Sequence, residues 1–207
     1  MGAGVGMRSG LLKITGDAKE ALAAHNKGGV VEYFLGDQER SDHEVVDAVM
    51  FKLRKSFPKQ KMTYDIEKAR TQPVTLKQFV GRGYDFKTKQ LVSLWKVSED
   101  GRSASLGGTG MLGLEHDYVT DAYAQAFSEP PYGLHGDLAG LRRCSELFVT
   151  INNELLGGLH DGLPINQWST DWSSYFDAGH EWWGSFLWTI RPPDRDWVVV
   201  ITASTTD

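Results

Sequence analysis

The polar, tryptophan-rich segment 160–183 carries the residue types that could bind a ligand or catalyse a reaction. Tryptophan rings can stack on a sugar or a base while carboxylate and amide groups bind its hydroxyls. The same composition can form a core whose indole N–H groups find acceptors nearby, and this second interpretation is preferred because aromatic residues usually lie in cores or interfaces. Under the first interpretation the binding residues are Asp161, Asn166, Trp168, Asp171, Trp172, Asp177, His180, Glu181 and Trp182.

Two kinds of chemistry follow from the titratable groups of this segment. His180-Glu181 begins like the zinc-binding helix motif, but that motif needs a second histidine four positions after the first, where Gly184 stands. The sequence therefore predicts neither a metal site nor a cofactor. A pair of carboxylates could instead hydrolyse a glycoside, if the fold brings two of them to the right separation. The candidates for such a pair are Asp161, Asp171, Asp177 and Glu181.

Two motifs elsewhere in the chain are interpreted as structural. Residues 108–113, "GTGMLG", match the dinucleotide-binding fingerprint, but a polar turn precedes them and no helical pattern follows. They are therefore predicted to be a connection. Arg142 and Arg143 precede Cys144 and could lower its thiol pKa. We expect Cys144 to be a structural residue of a helix.

Length and composition indicate one folded domain over residues 1–207. The chain is 41% hydrophobic and 24% charged, which is ordinary for a protein with a real core. Its single cysteine excludes an internal disulfide framework. The start "MGAGVGM" has no signal-peptide pattern, and no apolar run approaches the roughly 18 residues of a membrane span. We expect a cytoplasmic protein.

The net charge of −5 is unevenly distributed along the chain. Residues 1–103 hold 18 Lys+Arg and 13 Asp+Glu, a balance of +5, whereas residues 104–207 hold 4 and 14, a balance of −10. An alternative organisation therefore divides the chain near residue 103. If the acidic residues share one face, that face would attract a basic partner; scattered acidic residues would only be solvated.

Two segments are predicted to be helices with apolar stripes. Residues 41–58 open with a capping box formed by Ser41 and Glu44, and residues 137–158 begin at Asp137 and end at Gly157-Gly158. We expect both stripes to be buried together, because each needs a partner. The stripes consist of Val45, Val49, Leu53 and Phe57 in the first helix, and of Leu141, Phe148, Ile151 and Leu155 in the second.

The C-terminal residues predict a hairpin of two strands, "GSFLWTI" and "DWVVVITAS", joined by "RPPDRD". Period-two alternation directs Phe186, Trp188 and Ile190 towards the core. Residues 161–182 are expected to form a loop, in which His180 and Glu181 bond to backbone and indole groups. Residues 30–37 fit a strand or a helix. Because helices and strands do not alternate, we predict an α+β domain whose antiparallel sheet packs its C-terminal hairpin against the two helices.

Three stretches of the C-terminal half carry a resemblance. "SEPPYGL" (128–134), "INQWSTDWSSYFDAG" (165–179) and the ending "GHEWWGSFLWTI … VVVITASTTD" are similar to an uncharacterised family of bacterial proteins that end in an "EWWG…W…ASSTD" pattern. The resemblance implies a bacterial origin. It brings no activity, cofactor or catalytic residue.

Size, charge and motif content lead to a ranking of functions. We expect a non-enzymatic role in binding another protein, most concretely an immunity or antitoxin-like inhibitor whose acidic half covers a basic toxin. Membrane and nucleic-acid partners are not expected. The alternatives are an enzyme or carbohydrate-binding module that uses residues 160–183, and a structural or regulatory module without a small ligand. Buried tryptophan rings would weaken the cleft interpretation, and rings lining an open groove would weaken the inhibitor interpretation.

Overall fold

A computed structural model describes residues 11–25, 30–58, 61–92, 95–97, 104–106, 122–128, 138–182 and 184–204. Its helices are α1 (Gly16–His25), α2 (Asp42–Ser56), α3 (Leu76–Val80), α4 (Ala122–Ser128), α5 (Leu138–Leu156) and α6 (Asp177–Trp182). Its strands are β1 (Leu11–Leu12), β2 (Val31–Asp37), β3 (Thr71–Pro73), β4 (Tyr84–Asp85), β5 (Gln90–Leu91), β6 (Trp95–Val97), β7 (Ala104–Leu106), β8 (Ile165–Trp168), β9 (Phe186–Ile190) and β10 (Trp197–Ala203). Single 3-10 turns span Ile66–Lys68 and Ser174–Phe176.

Six of the strands form one antiparallel sheet in the order β1-β2-β10-β9-β8-β3. β9 and β10 are the predicted C-terminal hairpin, which packs between helices, so the predicted α+β class is confirmed. Residues 31–37, which the sequence left undecided, are a strand paired with β10 along its full length. The sheet combines β1, β2 and β3 of the basic half with β8, β9 and β10 of the acidic half.

The sheet has a hydrophobic core on each of its faces. We call them core A, which contains Trp188 and Ile201 with residues of α1, α3, α4 and α5, and core B, which contains Leu187 and Val200 with residues of α2 and Ser174–Phe176. Successive strand residues point to opposite faces, and both faces are apolar, so the central strands are buried on both sides.

The two helical stripes face the interior, with Phe57 and Leu141 only partly buried, but they do not share one cluster. Val45, Val49 and Leu53 of α2 lie in core B, whereas Phe148 and Ile151 of α5 lie in core A. The expectation of a common cluster was wrong because each stripe finds its own face of the sheet. The predicted orientation of β9 is confirmed. Its residues directed into core A are Phe186, Trp188 and Ile190.

The ends of the main helices follow the sequence. The Glu44 backbone N–H donates to Ser41 Oγ at 3.3 Å, and the Ser41 N–H donates to Glu44 Oε2 at 2.9 Å, which completes the predicted capping box. Gly157 and Gly158 have φ values of 73° and 96° and close α5 with bonds to the Asn153 and Asn152 carbonyls. Asp137, the predicted N-cap of α5, and the "GTGMLG" motif lie outside the described residues. Cys144 is buried on α5, as expected for a structural thiol.

The expected loop 161–182 contains regular structure. It forms β8, the 3-10 turn at Ser174–Phe176, and α6, each too short to show a period in the sequence. Gly179 and Gly184 make the tight entry to β9, since the Gly184 N–H donates to the Gly179 carbonyl at 2.7 Å. A Cβ atom added at Gly179 would lie 2.6 Å from the Gly184 carbonyl oxygen, so this position requires glycine.

Candidate functional site

Two tryptophans of the predicted binding segment belong to core B. Trp168 and Trp172 are 3% and 5% exposed. The Trp168 indole N–H donates to Thr189 Oγ1 at 3.1 Å, and the Trp172 indole N–H donates to the Ser169 carbonyl at 2.5 Å. Both rings are enclosed and both N–H groups are satisfied, so neither offers an open face for stacking on a ligand.

Three predicted carboxylates, Asp161, Asp171 and Asp177, are exposed. Arg70 Nη2 lies 2.8 Å from Asp171 Oδ2 in an exposed ion pair. A hydrogen bond from the Ser169 side chain, together with the Arg70 guanidinium, lowers the pKa of Asp171. A lowered pKa suits a carboxylate that stays ionised rather than a general acid.

Three further predicted residues of this segment, His180, Glu181 and Trp182, lie in α6. His180 is exposed, and its Nε2 atom lies 2.7 Å from Thr170 Oγ1, which links α6 to the turn after β8. The expectation that His180 bonds to a neighbour is met by a threonine hydroxyl instead of a backbone or indole group. The side chains of Glu181 and Trp182 lie outside the described part of the chain, although their backbone belongs to α6.

Asn166 belongs to a buried polar cluster that the sequence did not reveal. Asp42, the first residue of α2, accepts hydrogen bonds from Asn166 Nδ2 at 3.1 Å and from Thr189 Oγ1 at 2.5 Å. Its second oxygen accepts from Arg191 Nε at 2.8 Å. Asp42 and Arg191 are 149 positions apart in the chain, so no local pattern could pair them. The cluster fixes the start of α2 to β8 and to the end of β9.

A second polar pair joins core B to β2. The Tyr175 hydroxyl donates to Glu32 Oε2 at 2.7 Å. Burial raises the pKa of Glu32, and the hydrogen bond from Tyr175 and the charge of Lys52 oppose this rise only in part. Burial also raises the pKa of Tyr175. Glu32 is therefore a partly buried carboxyl that becomes ionised at a higher pH than an exposed glutamate does.

Two cavities border the aromatic pair Tyr84 and Phe86, with volumes of about 490 Å³ and 250 Å³. None of the seven predicted binding residues whose side chains the structure describes lines either one. The larger cavity lies between α3, the turn after it and strands β8 and β9. In the sequence, the alternation of basic and aromatic residues from Lys77 to Phe86 is the feature that could have indicated this cavity.

Acidic residues meet at one end of the sheet, which we call the acidic end. Trp197 pairs with Asp37 in the register of β10 and β2, so the turn before β10 lies beside the end of β2. The Trp197 indole N–H donates to the Leu155 carbonyl at 2.9 Å, which places the same turn against the last turn of α5. The residues of the acidic end are Asp37, Glu39, Glu154, Asp194 and Asp196.

The other described acidic residues of the C-terminal half do not share one face. Glu146 is exposed on α5, which covers core A, whereas Asp171 and Asp177 flank the turn that packs into core B. Negative charge is therefore concentrated at the acidic end. Two of its residues, Asp37 and Glu39, come from the basic half of the chain.

Among the described residues, no group of three or more His, Cys, Asp or Glu side chains could hold a metal ion. No helix in the described ranges has the length and apolarity to cross a membrane. Comparison with protein-family models, with curated proteins and with solved structures finds no match to this chain.

Proposed function

We propose that this chain is a non-enzymatic protein-binding module of the cytoplasm, an immunity or antitoxin-like inhibitor that covers a basic surface of a toxin with its acidic end. The observation that carries the proposal is that three segments distant in sequence bring five carboxylates to one end of the sheet. When Arg40, Arg195 and the ion pair of Arg191 with Asp42 are included, these segments keep an excess of three negative charges. A cationic cleft that attracts phosphate would attract such a surface equally well.

Two arginines hold the acidic end in place by donating to backbone carbonyls, and Asp37 Oδ1 accepts one further bond from the Glu39 N–H at 3.0 Å. The Arg191 guanidinium donates to the Gln38 carbonyl at 2.9 Å and to the Arg40 carbonyl at 2.5 Å, which fixes the turn after β2. Arg195 Nη2 donates to the Asn153 carbonyl at 3.3 Å, which fixes the β9–β10 turn. A surface ordered before binding loses less conformational entropy in a complex, so its charges contribute more to affinity.

The buried indoles favour this proposal over a carbohydrate-binding module or a hydrolase in segment 160–183. A sugar would need an exposed ring face, and the rings of Trp168 and Trp172 are enclosed in core B. A glycosidase would need one carboxyl with a raised pKa as its general acid, and the lowered pKa of Asp171 does not suit that role.

The test uses the proteins encoded beside the gene of this chain, because immunity genes are expected next to their toxins. Each neighbour is co-expressed with the chain, and growth rescue and the association rate of the purified pair are measured. We expect rescue of growth by one pair, and an association rate that falls as salt rises through roughly 0.1 M, where the screening length is about 10 Å.

Charge-reversed variants connect this result to the acidic end. Asp194→Lys combined with Asp196→Lys should slow association by about tenfold or more at low salt. The control, Asp47→Lys combined with Glu146→Lys, makes the same change of charge at exposed positions outside the acidic end and should change the rate less. Equal effects of the two double variants, or an association rate indifferent to salt, would refute the assignment of this surface.

A further inference from the structure

The smaller of the two cavities lies between the β4–β5 hairpin and the C-terminal end of α5, and we call it the hairpin cavity. Its volume of about 250 Å³ is just below the roughly 300–1,000 Å³ of sites that hold drug-sized ligands. A cavity of this size suits a molecule with a single ring. The residues used below are Tyr84, Phe86, Lys89, Asn153, Leu159 and His160.

Phe86 gives the hairpin cavity an aromatic ring that is open to solvent. It is 37% exposed, in contrast to Trp168 and Trp172 at 3% and 5%. Among the described residues its ring contact is with Tyr84, edge to face at a centroid distance of 5.1 Å, which leaves part of the Phe86 ring uncovered. The half-buried side chain of Leu159 extends the apolar surface. An exposed ring beside polar groups can stack on the C–H face of a sugar.

Four polar side chains of the hairpin cavity keep hydrogen-bonding groups that no described residue occupies. The Tyr84 hydroxyl, the Lys89 ammonium and the Asn153 amide have no side-chain bond within the described part of the chain. His160 Nδ1 accepts from the Gly162 N–H at 3.2 Å, so Nε2 carries the proton and can donate. Burial raises the pKa of Tyr84, which keeps its hydroxyl protonated at neutral pH. Groups that donate together with groups that also accept suit the hydroxyls of a sugar.

The two walls of the hairpin cavity are fixed by bonds outside it. Asp85 Oδ1 accepts from the Lys87 N–H at 2.8 Å, which shapes the turn between β4 and β5. The Leu91 N–H donates to Ser145 Oγ at 3.0 Å, which ties the hairpin to α5. A site that is formed before binding loses less conformational entropy when a ligand enters.

Charges of opposite sign border the hairpin cavity. Lys89 is exposed on the hairpin and brings a positive charge. Gly157 and Gly158 follow the last turn of α5, and a helix carries partial negative charge at its C-terminal end. Because these charges oppose each other, we expect an uncharged polar ligand rather than an ion.

We propose that the hairpin cavity binds one ring of a sugar, with Phe86 against its C–H face and with its hydroxyls bonded to Tyr84, Lys89, Asn153 and His160. The site differs from a carbohydrate site in segment 160–183, because only His160 belongs to that segment. The proposal does not depend on the protein-binding function, since none of the five carboxylates of the acidic end lines the cavity.

The experiment is ligand-observed NMR titration of the full chain with D-glucose, D-galactose and D-mannose, and with cyclohexanol and inorganic phosphate as comparison probes. We expect saturable binding of at least one hexose. Cyclohexanol, a ring with a single hydroxyl, and phosphate should each bind at least tenfold more weakly than that hexose. Phe86→Ala should weaken the hexose about tenfold, because it removes the stacking surface. Tyr84→Phe removes one hydroxyl and should weaken it about threefold or more.

Two pairs of variants provide matched controls. Val92→Ala removes an apolar side chain that is 42% exposed and lines neither cavity, so it should bind the hexose as the wild type does, unlike Phe86→Ala. Lys89→Ala should weaken the hexose about threefold or more, whereas Lys87→Ala, in the same turn but outside both cavities, should not.

Circular dichroism melts establish that every variant is folded. Four results would each overturn the proposal: no saturable binding of any of the three hexoses, equal affinity for cyclohexanol or phosphate, unchanged hexose affinity of Phe86→Ala, and equal effects of Lys89→Ala and Lys87→Ala.

Discussion

Asp42→Ala removes the acceptor at the centre of the buried polar cluster, and the structure indicates the size of its effect. The Asp42 carboxylate accepts from Asn166, Thr189 and Arg191, and the side chains of Asp42 and Arg191 are 16% and 30% exposed. Removing one partner of a buried ion pair costs about 3–5 kcal/mol, and the partial exposure of Arg191 reduces this to about 3 kcal/mol. For a chain of this size the melting temperature should fall by roughly 6–12 °C.

The assay is urea denaturation followed by circular dichroism, with Asp47→Ala as the control. Asp47 lies on the same helix, is exposed and has no bonding partner among the described residues, so its loss should leave the free energy of unfolding close to that of the wild type. A double-mutant cycle with Arg191→Ala should give a coupling energy of about 1–2 kcal/mol. Equal stability of the Asp42 and Asp47 variants, or no coupling to Arg191, would refute this account of the cluster.

Three further substitutions test other parts of the structure. Phe148→Ala should lower the free energy of unfolding by about 3–5 kcal/mol in urea denaturation, because the ring is fully buried among Tyr84, Tyr123 and Phe127; a loss below about 1 kcal/mol would contradict core A. Glu32→Gln tests the raised pKa of Glu32: the carboxyl stabilises the fold fully below its ordinary pKa of 4.5, and this contribution is lost as pH rises through the raised folded value. Between pH 4 and 8 the wild type should therefore lose stability relative to Glu32→Gln, and parallel pH profiles would contradict the shift. Gly179→Ala should lower the free energy of unfolding by about 1–3 kcal/mol, because its Cβ would approach the Gly184 carbonyl, and an unchanged melting temperature would contradict that contact.

Local signals in the sequence predicted the elements that local physics determines. The capping box at Ser41 and Glu44, the Gly157-Gly158 end of α5 and the alternation of Phe186, Trp188 and Ile190 each depend on residues within a few positions of one another. Such signals do not show which elements meet. The stripes of α2 and α5 were expected in one cluster, but the sheet is apolar on both faces and each stripe packs against its own face.

Polar contacts between distant segments could not be predicted either, because no local pattern pairs residues that lie far apart in the chain. Asn166 is one of the predicted binding residues, but its amide is bonded to Asp42, 124 positions away in the chain. Two other features, the acidic end and the larger cavity, each combine segments that only the fold brings together. The residue types of segment 160–183 indicated a binding site. The burial of Trp168 and Trp172 shows instead that these two rings belong to the core.

The central claim is that Trp168 and Trp172 of segment 160–183 are interior residues, and Trp172→Ala tests it most directly. Trp172 is 5% exposed, meets Phe176 and Tyr64 edge to face, and donates its N–H to the Ser169 carbonyl. The free energy of unfolding, measured by urea denaturation, should fall by about 3–5 kcal/mol, as for other large aromatic residues removed from a core. A fall of less than about 1 kcal/mol would mean that the ring lies open to solvent, and the interpretation of the segment as core would be wrong.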